Sequence, residues 1–479
     1  MDLCDIQLHV GQYLRRPDLA RCVQVSKDWH KTYMPLLFRD LELVFDVDDE
    51  DLEDQERPTK NKMPSVGSVE GYGHSIRSLS VHVKEWSDAG SLSLLAYWTQ
   101  NIKWLSVRGA YGAENCWTGT AHLLCNNPGI RYLDLEYLDE DDDCLSYIID
   151  TCTQLTELRM SHAQLDVLQM GYLMSSSPSL GRLTLEGCGI CFPVDQSLDS
   201  LPLFLPIEEL DLDHNFEPGL AVLVRWTARC PNLRLIRLKN VPYMEGEEVS
   251  DFSLFQHCPR LSKMTLSGLY LEDADLAAIL AHCPSLVDLT LEGQDIGKRA
   301  FEIMAGLFKN LIVLDLYNAS NLDTEMYRRI CTSCTRLENL AVSKLDVDDY
   351  FAVGSDVEQE AMGNHWICSG LRSLRIKVLV WSLNTELGNR ALQEMEALKG
   401  LEVLEIEYIG RPVGEDVRFY KKLSLSVAHA SEEREIAGLA RLCKKGRFAR
   451  SQLQQDMDLQ WMAESWPRMK RFIFVDQTS

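Results

Sequence analysis

Two Cys-x-x-Cys pairs, Cys188/Cys191 and Cys331/Cys334, have the spacing that can hold a metal ion or form a redox-active disulfide. A zinc-finger site needs a second Cys or His pair at a set distance, and neither pair is followed by one. The eleven histidines are dispersed along the chain. No GxxxxGKS/T loop, GxGxxG after a strand, HExxH helix or GxSxG elbow occurs. We therefore expect no catalytic residue, no metal and no cofactor. The chemistry of this chain is expected to be recognition.

Cys334 has another explanation, because it stands in a recurring phrase. HCPSLVDLTL (282–291), HCPRLSKMTL (257–266) and RCPNLRLIRL (229–238) share one pattern. Written as L-x-x-L-x-L, its first apolar position falls at Ile76, Ile102, Ile130, Leu155, Leu180, Ile207, Leu233, Leu261, Leu286, Leu311 and Leu337. These steps are 25 to 28 residues long. Wider steps lead to Leu371 and Leu401, and a looser copy opens at Met469. Self-similarity at that period marks a solenoid.

Strand geometry explains the phrase. In LVDLTL, Leu289 and Leu291 point to one face, and Asp288 and Thr290 to the other. Between phrases lie helical patterns such as DADLAAILAHC, with Leu276, Ile279, Leu280 and Cys283 at i, i+3, i+4 and i+7. Each unit then has one apolar side that only a stacked neighbour can bury. The expected fold is α/β: a horseshoe-shaped solenoid with parallel strands on the concave face and helices on the convex one. Thirteen or fourteen strands at about 4.8 Å would span on the order of 60 Å.

The phrase resembles the cysteine-containing class of leucine-rich repeats, in which a Cys closes the helix three residues before the first Leu. That position holds Cys152, Cys230, Cys258, Cys283, Cys334 and Cys368, with Asn127 and Ser177 as departures. The resemblance covers roughly 76–410, about 13 units of 25–34 residues. It makes most of the fifteen cysteines small buried hydrophobes.

The first forty residues pattern as three short amphipathic helices. Ile6, Val10 and Leu14 form a stripe, Asp18 is a candidate cap for a second helix bearing Leu19, and Ser26 for a third bearing Trp29, Tyr33 and Leu37. So small a unit needs another surface to become stable. Its residues resemble the F-box: Tyr13-Leu14, then Arg16-Pro17-Asp18-Leu19, then Val25-Ser26-Lys27-Asp28-Trp29, then Leu37-Phe38. Its start, Leu3-Cys4-Asp5-Ile6, departs from the family's Leu-Pro opening. An F-box joined to leucine-rich repeats is similar to the substrate receptors of Skp–cullin–F-box ubiquitin ligases. That resemblance implies a Skp adaptor, and through it a cullin, as partners. It assigns Ile6, Val10, Leu14, Pro17, Leu19, Val25 and Trp29 as adaptor contacts. It also implies a protein substrate held by the repeats. The alternatives are a cullin-independent F-box scaffold and a plain leucine-rich-repeat binder or inhibitor.

On this reading residues 1–43 form the F-box with a capping half-repeat, and 44–75 an acidic linker containing DVDDEDLEDQE (46–56). Residues 76–410 form the repeats, 411–468 a helical insertion and 469–479 a terminal strand. The basic Lys444-Lys445-Gly446-Arg447 is expected to be a solvated helix end. A formal charge of −24 disfavours nucleic acid and anionic membranes as partners. The opening MDLCDIQLHV has no basic-then-apolar leader, so a reducing, cytoplasmic or nuclear setting is expected.

Strand parity selects the outward-facing wall. Its early part carries Trp104, Arg108, Tyr132, Asp134, Glu136, Arg159, Glu186, Glu209, Asp211 and Asp213. Later positions are Arg237, Lys239, Lys263, Asp288, Glu292, Asp315 and Tyr317. Trp104 and Tyr132, with the acids Asp134, Glu136, Glu186, Glu209, Asp211 and Asp213, are the candidate substrate-binding residues. They would receive a basic, partly apolar segment.

Overall fold

The computed structural model describes residues 3–45, 70–83, 89–109, 116–137, 148, 150–191, 203–204, 206–214, 220–241, 252–346, 368–379, 398–409, 467–468 and 470–476. The acidic segments at 46–56 and 139–143 and the basic cluster at 444–447 lie outside them. The chain divides into two compact units, Met1–Leu233 and Arg234–Ser479.

The first unit opens with α1 (Leu3–Gly11), α2 (Arg16–Cys22) and α3 (Lys27–Leu37), then β1 (Asp40–Phe45) and β2 (Ser78–Val83). It continues with α4 (Ala89–Trp98), β3 (Trp104–Gly109), α5 (Cys116–Asn126), β4 (Tyr132–Glu136) and β5 (Glu157–Ser161). Then come β6 (Gln164–Asp166), α6 (Val167–Ser176), β7 (Arg182–Glu186), β8 (Gly189–Cys191), β9 (Glu209–Asp213) and α7 (Leu220–Thr227). Strands β1, β2, β3, β4, β5, β7 and β9 pair in that order, all parallel. Strands β6 and β8 form a separate parallel pair.

The second unit comprises β10 (Leu235–Lys239), a 3-10 turn at Phe252–His257, β11 (Lys263–Ser267), α8 (Asp273–Ala281), β12 (Asp288–Thr290) and α9 (Lys298–Ala305). It ends with β13 (Val313–Leu316), α10 (Thr324–Ser333), β14 (Asn339–Asp346), β15 (Ser373–Leu379), β16 (Val403–Ile409) and β17 (Arg471–Asp476). These strands pair consecutively and in parallel, with one register shift between Val342 and Leu345. Parallel strands joined by helices in a 25-to-28-residue period are the leucine-rich-repeat fold, and both units have it.

The register explains why the period must hold. It aligns Leu105, Leu133, Leu158, Leu183 and Leu210 across the first unit. In the second it aligns Met264, Leu289, Leu314, Leu340, Leu374 and Leu404. All are buried. A one-residue slip would turn such a row out of the core. Helix α8 adds Leu276, Ile279 and Leu280 to that core, as the spacing predicts.

Most frames are entered by a tight turn. The N–H of the first frame residue donates to the carbonyl three residues earlier, as in Leu155 to Cys152 (3.1 Å), Leu233 to Cys230 (3.0 Å) and Leu261 to Cys258 (3.1 Å). The cysteines at this position are buried. Burial pushes Cys152 up to about 11, and Cys258 and Cys283 up to about 12. Such thiols serve as packing, not as nucleophiles. Asn127 fills the same position by a different device. Its amide donates to Thr99 O (2.9 Å) and Leu123 O (2.8 Å), and its carbonyl oxygen accepts from Ile102 N (2.9 Å). A fully buried polar side chain is thereby satisfied and ties two repeats together.

Helix α9 borrows its cap. Its own N-cap is Gly297, and Asp273 of the preceding helix accepts from Ala300 N (2.8 Å) and Arg299 N (3.1 Å). A Cβ on Gly297 would lie 2.4 Å from Asp273 Cγ, so this close approach requires glycine.

Candidate functional site

At the N-terminus, α3 packs against both α1 and α2. Its entry is capped by Ser26, which accepts from Trp29 N at 3.2 Å, as the sequence predicts. Two local expectations are corrected. Helix α2 begins at Arg16, so Asp18 lies in the first turn and does not cap it. Pro17 causes this: its fixed φ and missing N–H suit the first helical positions. Asp18 instead pairs with Arg15 (3.5 Å) and Arg21 (3.3 Å). Helix α1 ends at Gly11, so Leu14 falls in the following turn and does not extend the stripe. Gly11 lets the chain approach α3 closely; a Cβ there would sit 2.6 Å from Leu36 Cδ1.

The seven motif positions separate by exposure. Leu19 is buried at 7% exposure and belongs to the module's own core. Leu14 and Trp29 are half-buried, with Trp29 edge-on to Tyr33 at 5.4 Å. Pro17 is exposed. Ile6, Val10 and Val25 are 45%, 48% and 64% exposed, and Tyr13 joins them at 77%. With Leu8, five large apolar side chains in the first forty residues thus face solvent. The module is also bonded to the repeats: β1 pairs with β2 from Asp40↔Ser78 to Phe45↔Val83, and Phe38 stacks on Tyr72 at 5.3 Å.

On the first unit's wall, the outward residues of neighbouring strands stand side by side in rows. One row is Trp104, Tyr132, Glu157, Arg182, Glu209; the next is Ser106, Asp134, Arg159, Thr184, Asp211; the third is Arg108, Glu136, Ser161, Glu186, Asp213. Trp104 and Tyr132 stack face to face, 4.9 Å apart at 11°. The acids are interleaved with arginines that the acidic-groove reading did not pair with them. Arg159 donates to Glu186 at 2.6 Å, and Arg182 bridges Glu157 (2.9 Å) and Glu209 (2.6 Å). Asp134 is only 3% exposed, accepts from Ser106 Oγ at 2.9 Å and lies 3.4 Å from Arg108. It is a structural acceptor within the wall, not a surface acid. Carboxylates still outnumber arginines among the three rows, so the surface stays negative.

The second unit's wall differs. Arg375 lies over the Tyr317 ring at 3.5 Å and within 3.5 Å of Glu405, which covers Tyr317 and leaves it 8% exposed. Burial raises the carboxyls of Asp288 and Asp315 above their ordinary range. Among the described residues no group of three or more His, Cys, Asp and Glu side chains gathers to hold a metal ion.

Residues 194–344 match the family model described as "FBD-associated F-box protein At5g56370, LRR repeats". Among solved structures, an internalin (InlF) from Listeria monocytogenes aligns with 64% of this chain and 80% of its own, at 16% identity and a TM-score of 0.37. No curated protein matches. Geometry and family match together make the segment 194–344 a set of leucine-rich repeats similar to those of an F-box-associated family.

Proposed function

We propose that this chain is the substrate-recognition subunit of a Skp–cullin–F-box ubiquitin ligase, of the cysteine-containing leucine-rich-repeat class. The N-terminal helices bind the Skp adaptor, and the wall of the repeats holds a protein substrate, in the cytoplasm or nucleus. The receptor breaks no bond itself; it raises the local concentration of a substrate lysine near the conjugating enzyme.

The observation that carries this reading is the exposure of Ile6, Val10, Tyr13 and Val25 at motif positions of a small helical module. Burying such a side chain is worth about 1.5–3 kcal/mol, so a partner that covers several gains substantial affinity. The match of 194–344 to the repeats of an F-box protein supports the same architecture.

The test is co-purification of the full chain with a Skp adaptor, beside the variants Val10→Asp and Val25→Asp. Both residues are exposed, so the variants should fold. Stoichiometric capture by the wild type and loss of more than tenfold in each variant is expected. A folded wild type that captures no adaptor would refute the reading. Substrate ubiquitination in the assembled ligase then separates a receptor from a cullin-independent scaffold.

A further inference from the structure

The residue after each of four wall strands of the first unit has a left-handed backbone. It is Tyr137 (φ 60°) after β4, His162 (φ 53°) after β5, Gly187 (φ 62°) after β7 and His214 (φ 50°) after β9. Their N–H groups extend the ladder by one bond: Tyr137 to Ser161 O (2.8 Å), His162 to Glu186 O (2.8 Å), Gly187 to Asp213 O (2.7 Å). In these repeats Tyr, His and Gly adopt the same conformation. In the second unit the same position holds Asn240, Gly268, Gly293 and Asn318. Gly and Asn adopt a positive φ at least cost and His is tolerated there, whereas Tyr adopts it under strain. A Tyr held in this conformation and stacked on a neighbour, where Asn or Gly would serve, points to a use for its side chain.

Tyr137 and His162 stack face to face, 4.8 Å apart at 13°. They sit at the C-terminal ends of β4 and β5, whereas the Trp104–Tyr132 stack sits at the N-terminal ends of β3 and β4. Tyr137 lies five positions beyond Tyr132, on the order of 16 Å along a strand. Between them, Asp134 is held by Ser106 and Arg108. The two aromatic stacks therefore stand at the two ends of β4. Burial first, then the carboxylates of Asp134 and Glu157 against the opposing Arg159 and Arg108, hold the Tyr132 phenol above its ordinary value, and carboxylates outnumber arginines across the three rows. Negative aromatic faces flanked by carboxylates select cationic side chains.

We propose that the two stacks are paired anchors for an extended basic segment of a partner protein, which runs along β4 with one Lys or Arg at each stack. This rests on the reading of the wall as the substrate-holding face and names the chemistry it selects; it does not rest on the adaptor. The 16 Å separation corresponds to four to six residues of extended chain.

The test pans a phage-displayed random 12-mer library against the full chain at 0.1 M salt. The expected winners carry two Lys or Arg residues four to six positions apart. Synthesised, such a peptide should bind at least tenfold more weakly to Trp104→Ala and to the double variant Tyr137→Asn, His162→Asn. Binding should also weaken at 0.5 M salt. The double variant should melt at or above the wild-type temperature, because Asn suits the backbone it inherits. Winners without the basic pair, no winners at all, or undiminished binding to the double variant would overturn the proposal. So would a double variant that melts lower and binds as well, since the stack would then serve stability alone. Adaptor capture, measured on the same preparations, reports separately on the receptor reading.

Discussion

After β4 the left-handed position holds Tyr137, and after β10 it holds Asn240; the backbone is the same, with φ of 60° and 51°. The turn before each frame shows the same freedom within one unit, where Asn127 with three side-chain hydrogen bonds stands in one repeat and the buried Cys152 in the next. A repeat fixes backbone geometry and which faces are buried. It leaves open which residue meets each demand. Where the cheapest residue is used, as in the second unit's Asn and Gly column, stability accounts for the choice. Where it is not, as at Tyr137 and His162, stability alone does not.

The comparison predicts equal behaviour in the two cores. Leu158→Ala and Leu289→Ala each remove a fully buried row residue and should cost about 2–5 kcal/mol, measured by denaturant unfolding. A cost under about 1 kcal/mol at either site would show that its core is loosely packed. At the frame turn the Asn and Cys solutions should diverge. Asn127→Ala strands the Ile102 N–H and two carbonyls inside the protein and should cost about 1–3 kcal/mol. Asn127→Cys should recover part of this if the solution used at Cys152 in the next repeat transfers.

At the left-handed column the expected effects are about 1–2 kcal/mol. Gly268→Ala puts a Cβ on a backbone with φ 64°, only 2.6 Å from Asn240 Oδ1, and should destabilise by that amount. Its sign should be opposite to, or clearly larger than, that of His162→Asn at the equivalent position. Equal losses at both sites would break the contrast.

The buried thiols add a pH dependence of about 1.4 kcal/mol per thiol per pH unit. Each titrates near its ordinary value of 9 in the unfolded chain, but near 11 (Cys152) or 12 (Cys258 and Cys283) in the fold. Below pH 9 both states are protonated and stability is unaffected. Above it the unfolded state loses its protons first, so stability should fall until the folded values are reached. Chemical denaturation at pH 8, 9 and 10 would show the onset, and replacing Cys258 with Ala should reduce the slope.

Much of the architecture was legible in the spacing of Leu and Cys, because strand alternation and helix periodicity are local. The outward phase of Glu209, Asp211 and Asp213 follows directly from the buried Leu210 and Leu212 between them. The charge partners were not legible. Arg182 meets Glu157 and Glu209 only because neighbouring repeats align them in one row, some 25 residues apart in sequence. The left-handed column did leave a trace: Asn240, Gly268, Gly293 and Asn318 each lie seven residues past the first frame position. Tyr137, His162 and His214 share that offset but hide it, since their types do not announce a positive φ.

The sequence by itself therefore determined the repeat, its buried face and the presence of a separate helical module, all consequences of patterns within thirty residues. Tertiary structure decided which polar side chains remain available. Stacking of parallel strands brings Arg108 to Asp134 and Tyr137 to His162, and lays Arg375 over Tyr317. Those pairings depend on register between repeats, and no single repeat contains it.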